Sequence, residues 1–459
     1  MLTPQKMALL RSFLEALPPK ASARLAKAVE LDRLAGGRGL PHGLILETLR
    51  PRSDRSSTPL RLFCLPFEDL LVEEPAKEKQ KGRIARSNAV AIWRWLSDAL
   101  LCDAVERYTV DIERLVLQGR DAESLARAAE FWTLAAAAID NAVVKDRDAV
   151  RAALPDDAAL ADAEEIALLL SVGMAIGDIQ KLLPRPFPQL NDGVLRDLRD
   201  IHDRAAATRP EAAAYVAVVA MNRLAHPWEA LKIPQIVTHQ TQDALISGTD
   251  MGMVGELLLN DTEIHGNAVR ASRHPAFDVD ALIGHLARFT ELSSHIVREI
   301  EVRRGGRWGK RLLADRAAVA ETMDGLMERA PKEVLAMLPV HKSGSYGGGP
   351  LCADLSRPVD AKKSERGLRY AKLIAGSAPY AAMGSFAATQ RDAMDDVSQH
   401  LRGYNEDLIK EMRVPEGERQ PGAEHQFELA AELTALIFSP EEAEHLRRRG
   451  RAAVASRAA

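Results

Sequence analysis

Apolar residues recur along most of this chain at helical spacing, and two stretches carry the pattern furthest. Between Asp278 and Arg304 the row Leu282, Leu286, Phe289, Ser293, Ile296 and Ile300 advances by alternating steps of four and three residues. Between Tyr380 and Met412, the row Gln390, Met394, Val397, Leu401, Tyr404 and Leu408 repeats that alternation. A seam of this period keeps facing a neighbouring helix. Both seams are short and carry polar interruptions, so they are expected to close within one chain as a bundle. At ~1.5 Å per residue the second helix would run for about 50 Å, started or kinked by Pro379.

The remaining pattern is also helical. Ser87 is placed to cap a long helix ending at Gly119, and Asp121 opens the next. Further helices are predicted at 157–183, 192–207, 211–225 and 424–438, and Ser439-Pro440-Glu441-Glu442 has the signature of a helix start. Ile166–Gly177 and Ala212–Met221 are apolar nearly all round, which suits central core helices. Both fall short of the ~20 residues needed to span a bilayer. Near the N-terminus, Thr3 and Pro4 open a short helix with Met7, Leu10, Leu14 and Leu17 on one side; Arg11 and Glu15 interrupt it, which excludes a secretory signal.

Three segments lack the helical period. Leu60–Leu65 reads as a short strand stopped by Pro66, residues 73–87 as a charged linker, and residues 339–362 as a long structureless loop. The expected architecture is all-α: a multi-helix antiparallel bundle with long seamed helices and a small irregular N-terminal unit. Its divisions are a small N-terminal unit at 1–75, a main helical domain at 76–338, the loop at 339–362, and a helical segment at 363–459 that packs on the main domain.

Composition adds bounds. In 459 residues, 46% are apolar, 27% charged and 5% aromatic, with a formal net charge of −4. That balance excludes disorder and a whole-molecule electrostatic footprint for nucleic acid. Cys64, Cys102 and Cys352 are odd in number and outside any metal-ligand spacing, so a reducing cytoplasm is expected. The excess of arginine over lysine, with abundant alanine, suggests a GC-rich bacterial genome.

Motifs that carry chemistry are few. His341-Lys342-Ser343-Gly344-Ser345-Tyr346-Gly347-Gly348-Gly349-Pro350 has glycines that let backbone N–H groups approach an anion, but not the spacing of a phosphate-binding loop. His341, Lys342, Ser343 and Tyr346 are therefore candidates for a ligand or partner loop. Residues 261–299 hold Asp261, Glu263, His265, His274, Asp278, Asp280, His285, Glu291, His295 and Glu299, yet no HExxH; they read as a solvated face, and no metal or other cofactor is expected. The one ExxH pair, Glu442 and His445, lies on the polar terminal helix. Cys352 with His341 and Asp354 has the residue types of a thiol catalyst without any spacing that fixes their geometry.

Basic clusters are the most suggestive feature. Arg303, Arg304, Arg307, Lys310 and Arg311 surround Trp308, a set suited to phosphate with a stacking face. Lys77, Lys79, Lys81, Arg83 and Arg86 precede Trp93 and Trp95. The function expected from this pattern is a non-catalytic helical scaffold or adaptor that binds other proteins, with self-association through the long helices. The alternatives are binding of nucleic acid or an anionic membrane surface through the basic patches, and an enzyme with a site around 239–285 and 341–354.

Overall fold

The computed structural model describes residues 40–49, 58–73, 78–238, 249–274, 276–299, 306–342, 351–354, 357–413 and 423–455, with scattered positions before residue 40. The described residues are overwhelmingly helical, as the apolar period predicts. None of their helices is long and apolar enough to cross a membrane. The chain divides into two compact units, the first reaching Leu257 and the second running from Leu258 onward, apart from a few residues near 242.

The first unit contains α1 (His42–Leu49), α2 (Thr58–Cys64), α3 (Arg86–Trp95), α4 (Cys102–Gln118), α5 (Asp121–Lys145), α6 (Arg147–Ala153), α7 (Asp157–Ser171), α8 (Gly173–Leu182), α9 (Asp192–Thr208), α10 (Tyr215–Arg223) and α11 (Lys232–Thr238). The segments read as apolar all round lie at its centre except near Met174, which is 52% exposed beyond a helix break at Val172. Tyr215 to Met221 is buried without a break, and α7 buries Ile166, Ala167, Leu169 and Leu170. Gly119 ends α4 in the left-handed conformation, as its position suggests. The expected helix from Ser87 is broken, however, by a π-helical turn at Leu96–Leu100, and α3 begins one residue earlier, at Arg86.

Leu60–Leu65 is not a strand. Thr58–Cys64 is α2, followed by a 3-10 turn at Leu65–Leu70. A strand here would lack a partner, whereas carbonyls of the helix and of the turn after it find side-chain donors. Tyr108 donates to the Pro59 carbonyl at 3.0 Å, Trp132 to Leu62 at 3.0 Å, and Gln180 to Leu65 at 2.9 Å. Phe63 and Phe67 then close an aromatic cluster with Trp93, and Tyr108 stacks on Phe131 at 4.3 Å.

The charged stretch after residue 73 is also corrected where it is described. Short strands β1 (Leu71–Val72) and β2 (Ile84–Ala85) pair in parallel, and Ile84 and Ala85 are buried. Lys79 enters the same region and bridges two carboxylates of α7, Asp162 at 2.5 Å and Glu165. Its ammonium also donates to the Arg83 carbonyl at 2.6 Å. Glu165 accepts the Gly82 N–H at 2.5 Å, while Asp162 accepts from Asn88 at 2.8 Å and Ala85 at 3.2 Å. Burial and the Glu165 charge raise the Tyr215 phenol far above its ordinary range. Gly82 has φ +84°, and a Cβ there would meet Leu257 at 2.8 Å, so only glycine lets this loop lie on the core. A sequence rich in charge thus becomes a clamp, because its lysine meets acids that the helix pattern concealed.

The second unit contains most of α12 (Met253–Ala271), then α13 (Val279–Glu299), α14 (Arg307–Leu335), α15 (Ala361–Ser377), α16 (Ala387–Met412), α17 (Ala423–Ile437) and α18 (Pro440–Ala455). Asp278 caps α13 through the N–H groups of Asp280 and Ala281. Both seams are found in one core, with Leu282, Leu286 and Phe289 of α13 and Val397, Leu401, Tyr404 and Leu408 of α16 all buried. Ile300 lies outside the described residues. The second seamed helix is shorter than expected. Ala378–Tyr380 is a 3-10 turn, Ser385 takes a left-handed φ of 65°, and Phe386 turns into the core before α16 starts.

Residues 339–362 are not structureless throughout. Strand β3 (Val340–Lys342) pairs antiparallel with β4 (Leu351–Ala353), in the register Val340↔Ala353, His341↔Cys352 and Lys342↔Leu351. The ladder is anchored from α17, where Gln426 accepts from the Tyr404 hydroxyl at 2.8 Å and donates to the Asp354 and Arg357 carbonyls.

The clamp gives a direct test. Lys79→Met would leave two carboxylates, 2% and 4% exposed, without their cation. Breaking such a buried pair costs about 3–5 kcal/mol. Urea unfolding should show a loss of that order for the first unit, while Lys81→Met at an exposed position should stay within about 0.5 kcal/mol. Equal effects would show that the clamp contributes nothing.

Candidate functional site

Helix α16 organises the polar surface of the second unit. Its seam points inward, which leaves a polar flank on each side. The flank carrying Gln399, His400, Gly403, Tyr404 and Asp407 faces the β3–β4 ladder across a cavity of about 380 Å³, with Leu335, Leu338, Val340, Cys352 and Ala353 opposite. The ladder places His341 directly across from Cys352. Cys352 is half-buried and His341 is exposed. In this cleft Asp407 accepts from the Ala353 N–H at 3.3 Å and from Lys410 at 3.0 Å. Tyr404 is held protonated by burial and by the charges of Asp354 and Asp407, and donates to Gln426. Asp354 pairs with Arg357 at 2.9 Å.

The opposite flank of α16 presents Met394, Asp395, Ser398, Arg402, Asn405 and Glu406 to a larger groove of about 860 Å³. Its floor is Thr434, Ile437 and Phe438 at the end of α17, and its far wall is Glu442, His445, Leu446 and Arg449 of α18. Helix α18 starts where the sequence places it, with Ser439 capping the Glu442 N–H at 3.2 Å. It lies close against α17 because Gly450 sits on the Phe427 ring, where a Cβ would come within 2.5 Å. From Met394 to Glu406 the trough extends about 18 Å. Arg449 bridges it with two hydrogen bonds to Glu406, at 2.8 and 2.9 Å, and this cation holds the Glu406 carboxyl below its ordinary range. The Arg402 guanidinium lies 4.9 Å over the Phe438 ring. Of this set the sequence marked Met394 as part of the seam, Glu442 and His445 as a pair, and Arg449 in the basic run of the last helix. Nothing in their spacing brings residues 394–406 to residues 434–449; that meeting is made by the turn between α17 and α18.

The sequence-predicted anion site is rearranged. Arg303 and Arg304 lie outside the described residues. Arg307 and Lys310 are exposed on the first turn of α14. Trp308 is 1% exposed, so its indole offers no stacking face. Arg311 is drawn to Glu263, with Nε at 3.1 Å, and to Asn260 of α12. Of the candidate loop, His341 and Lys342 are in β3, the Lys342 side chain being outside the description, as are Ser343 and Tyr346. In the second cluster Lys77 is outside the description, Lys79 belongs to the clamp, Lys81 is exposed, Arg83 bonds Asn222 at 2.8 Å, and Arg86 bonds Glu73 at 2.6 Å.

Among residues 261–299 the acids disperse. Glu263 meets Arg311, Asp280 meets Lys372 at 2.7 Å, and Glu291 meets Arg288 at 2.8 Å. Two histidines do meet: His265 and His285 approach Nδ1 to Nδ1 at 3.0 Å. Among the described residues no group of three or more His, Cys, Asp or Glu side chains is placed to hold a metal ion.

The histidine contact sets a pH dependence. One ring must donate and the other accept, so the pair does not hold a proton on both facing nitrogens. Burial, then His285 and Arg288, lowers the His265 pKa. The unfolded chain takes up that proton near pH 6.5 while the folded form resists it. Stability from this group is therefore full above about pH 6.5 and declines as the pH falls below it. His265→Gln should flatten the drop in Tm between about pH 7 and pH 5 relative to the parent; an unchanged slope would remove the pair as its cause.

Compared with models of protein families, with curated proteins and with solved structures, the chain matches none, so its site is read from its own geometry.

Proposed function

We propose that this protein is a non-catalytic helical scaffold that holds a polypeptide segment of a partner in the groove along α16. The observation that supports this reading is the groove itself: about 18 Å of trough between two helices, where Met394, Ile437, Phe438 and Leu446 line it among charged and polar side chains. A lining that mixes apolar and polar groups suits a short helix or extended segment. That Cys64, Cys102 and Cys352 form no disulfide with one another supports a reducing compartment.

A test needs no known partner. A library of random dodecapeptides selected on the purified protein should yield binders with Kd near ~1 μM. Ser398→Trp, which fills the trough, should weaken them at least about tenfold without lowering Tm. Recovery of no peptide, or equal binding to the filled variant, would refute the proposal.

A second reading, a thiol enzyme, has one specific observation behind it, the pairing of His341 with Cys352 beside the smaller cleft. It requires iodoacetamide to alkylate Cys352 faster than the exposed Cys102, and His341→Ala to slow that reaction. Equal rates at the two thiols would sink it. An anionic partner at Arg307 and Lys310 has weaker support, since Trp308 is buried and Arg311 is already bonded to Glu263.

A further inference from the structure

We propose that His265 of α12 and His285 of α13 together chelate a divalent transition-metal ion of the zinc, nickel or copper class through their Nδ1 atoms. Water fills the remaining coordination positions. Neither residue lines the groove beside α16, so the inference is independent of the scaffold reading.

The helix hairpin sets the pair. His265 lies six residues before the end of α12 and His285 six residues after the start of α13. Folding back at the turn therefore brings both to one level, about 9 Å along each helix. Gly266 permits the close approach, since a Cβ there would meet the Phe289 ring at 3.2 Å. Both histidines are half-buried. A Cβ at Gly284 would meet nothing within 4 Å, so the surface beside His285 is open to water. Among the described residues neither ring has a hydrogen-bond partner other than the opposite ring.

The distances fit a bidentate site. Two imidazole nitrogens at about 2.05 Å from one ion are about 2.9 Å apart across a right angle and about 3.3 Å apart across the tetrahedral angle. The two Nδ1 atoms are 3.0 Å apart. Their ring centres are 5.3 Å apart, against about 5.2 Å for a tetrahedral pair. Tilting the rings in place is thus enough to turn both Nδ1 lone pairs onto one ion, with no movement of either helix. In the metal-free contact one Nδ1 carries a proton and the other accepts it. Binding moves that proton to Nε2 of the same ring, whichever ring it is, so both imidazoles stay neutral. The nearby charge of Arg288 is balanced by Glu291, which holds its guanidinium at 2.8 Å. Imidazole ligands select zinc, nickel and copper over magnesium, which takes oxygen.

The test is calorimetric titration of the full chain, stripped with EDTA and dialysed, at about pH 7.5 where free imidazole is neutral. One Ni²⁺ or Zn²⁺ ion should bind per chain with Kd of about 10 μM, and Mg²⁺ should not bind. His265→Gln and His285→Gln should each weaken binding by about tenfold or more. The double variant should lose no more than either single one, because one imidazole alone does not chelate. His425→Gln, at an exposed position, should leave binding unchanged. The Tm of each metal-free variant reports whether it folds. Electron paramagnetic resonance of the Cu²⁺-loaded parent counts ligands without any variant, and should show two coordinating imidazole nitrogens. Failure of both Ni²⁺ and Zn²⁺ to bind, or equal binding by the parent and both single variants, overturns the inference. So does a copper spectrum of the parent with fewer than two imidazole nitrogens.

Discussion

Every long helix of this protein carries an apolar row that must be covered, and the rest of the structure follows from how those rows are paired. In the second unit the rows of α13 and α16 are buried in one core with α14, α15 and α17. Covering a row of large apolar side chains is the dominant favourable term available to such a helix. Since only one side of each helix is used, its flanks are left polar. The two clefts of α16 are consequences of that geometry, one opening toward the β3–β4 ladder and the other toward α18.

The first unit meets a further constraint, that polar groups taken inside must be paired. Asp162 and Glu165 lie on the nearly all-buried α7, where an unpaired carboxylate would be severely penalised. Lys79, Gly82, Ala85 and Asn88 together supply partners to them, which is why a strongly charged loop is held to the core instead of floating as a linker. The same accounting turns Thr58–Cys64 into a helix, because Tyr108, Trp132 and Gln180 reach carbonyls of that helix and of the adjoining turn.

The helical period made much of the fold legible. The seams at 282–296 and 390–408, the apolar centres near 166 and 215, the end of a helix at Gly119 and the start of another at Ser439 are all local properties, and local geometry is what periodicity and capping report. Helix interruptions such as the π-helical turn at Leu96–Leu100 were missed, and the other failures were non-local. Leu60–Leu65 has strand-like composition and is overruled by distant donors; Lys79 has a linker's composition and is overruled by acids more than eighty positions away. Val340–Lys342 and Leu351–Ala353 are too short to announce themselves as strands, and each is a strand only because the other is beside it.

The site was less legible than the fold. Glu442 and His445 were visible as a pair, but their partners on α16 are some forty residues away and become neighbours only when α17 and α18 fold back. The basic run at 307–311 was conspicuous, and its components diverge because successive helical residues face different directions: Trp308 goes inward, Arg311 sideways to Glu263, Lys310 outward. By itself the sequence determined that this is an all-α protein with seamed helices, since the period of apolar residues dictates which side of each helix must be hidden. Which polar groups would meet and which charges would be neutralised were decided by tertiary structure, because those outcomes depend on distances between helices that no local spacing contains.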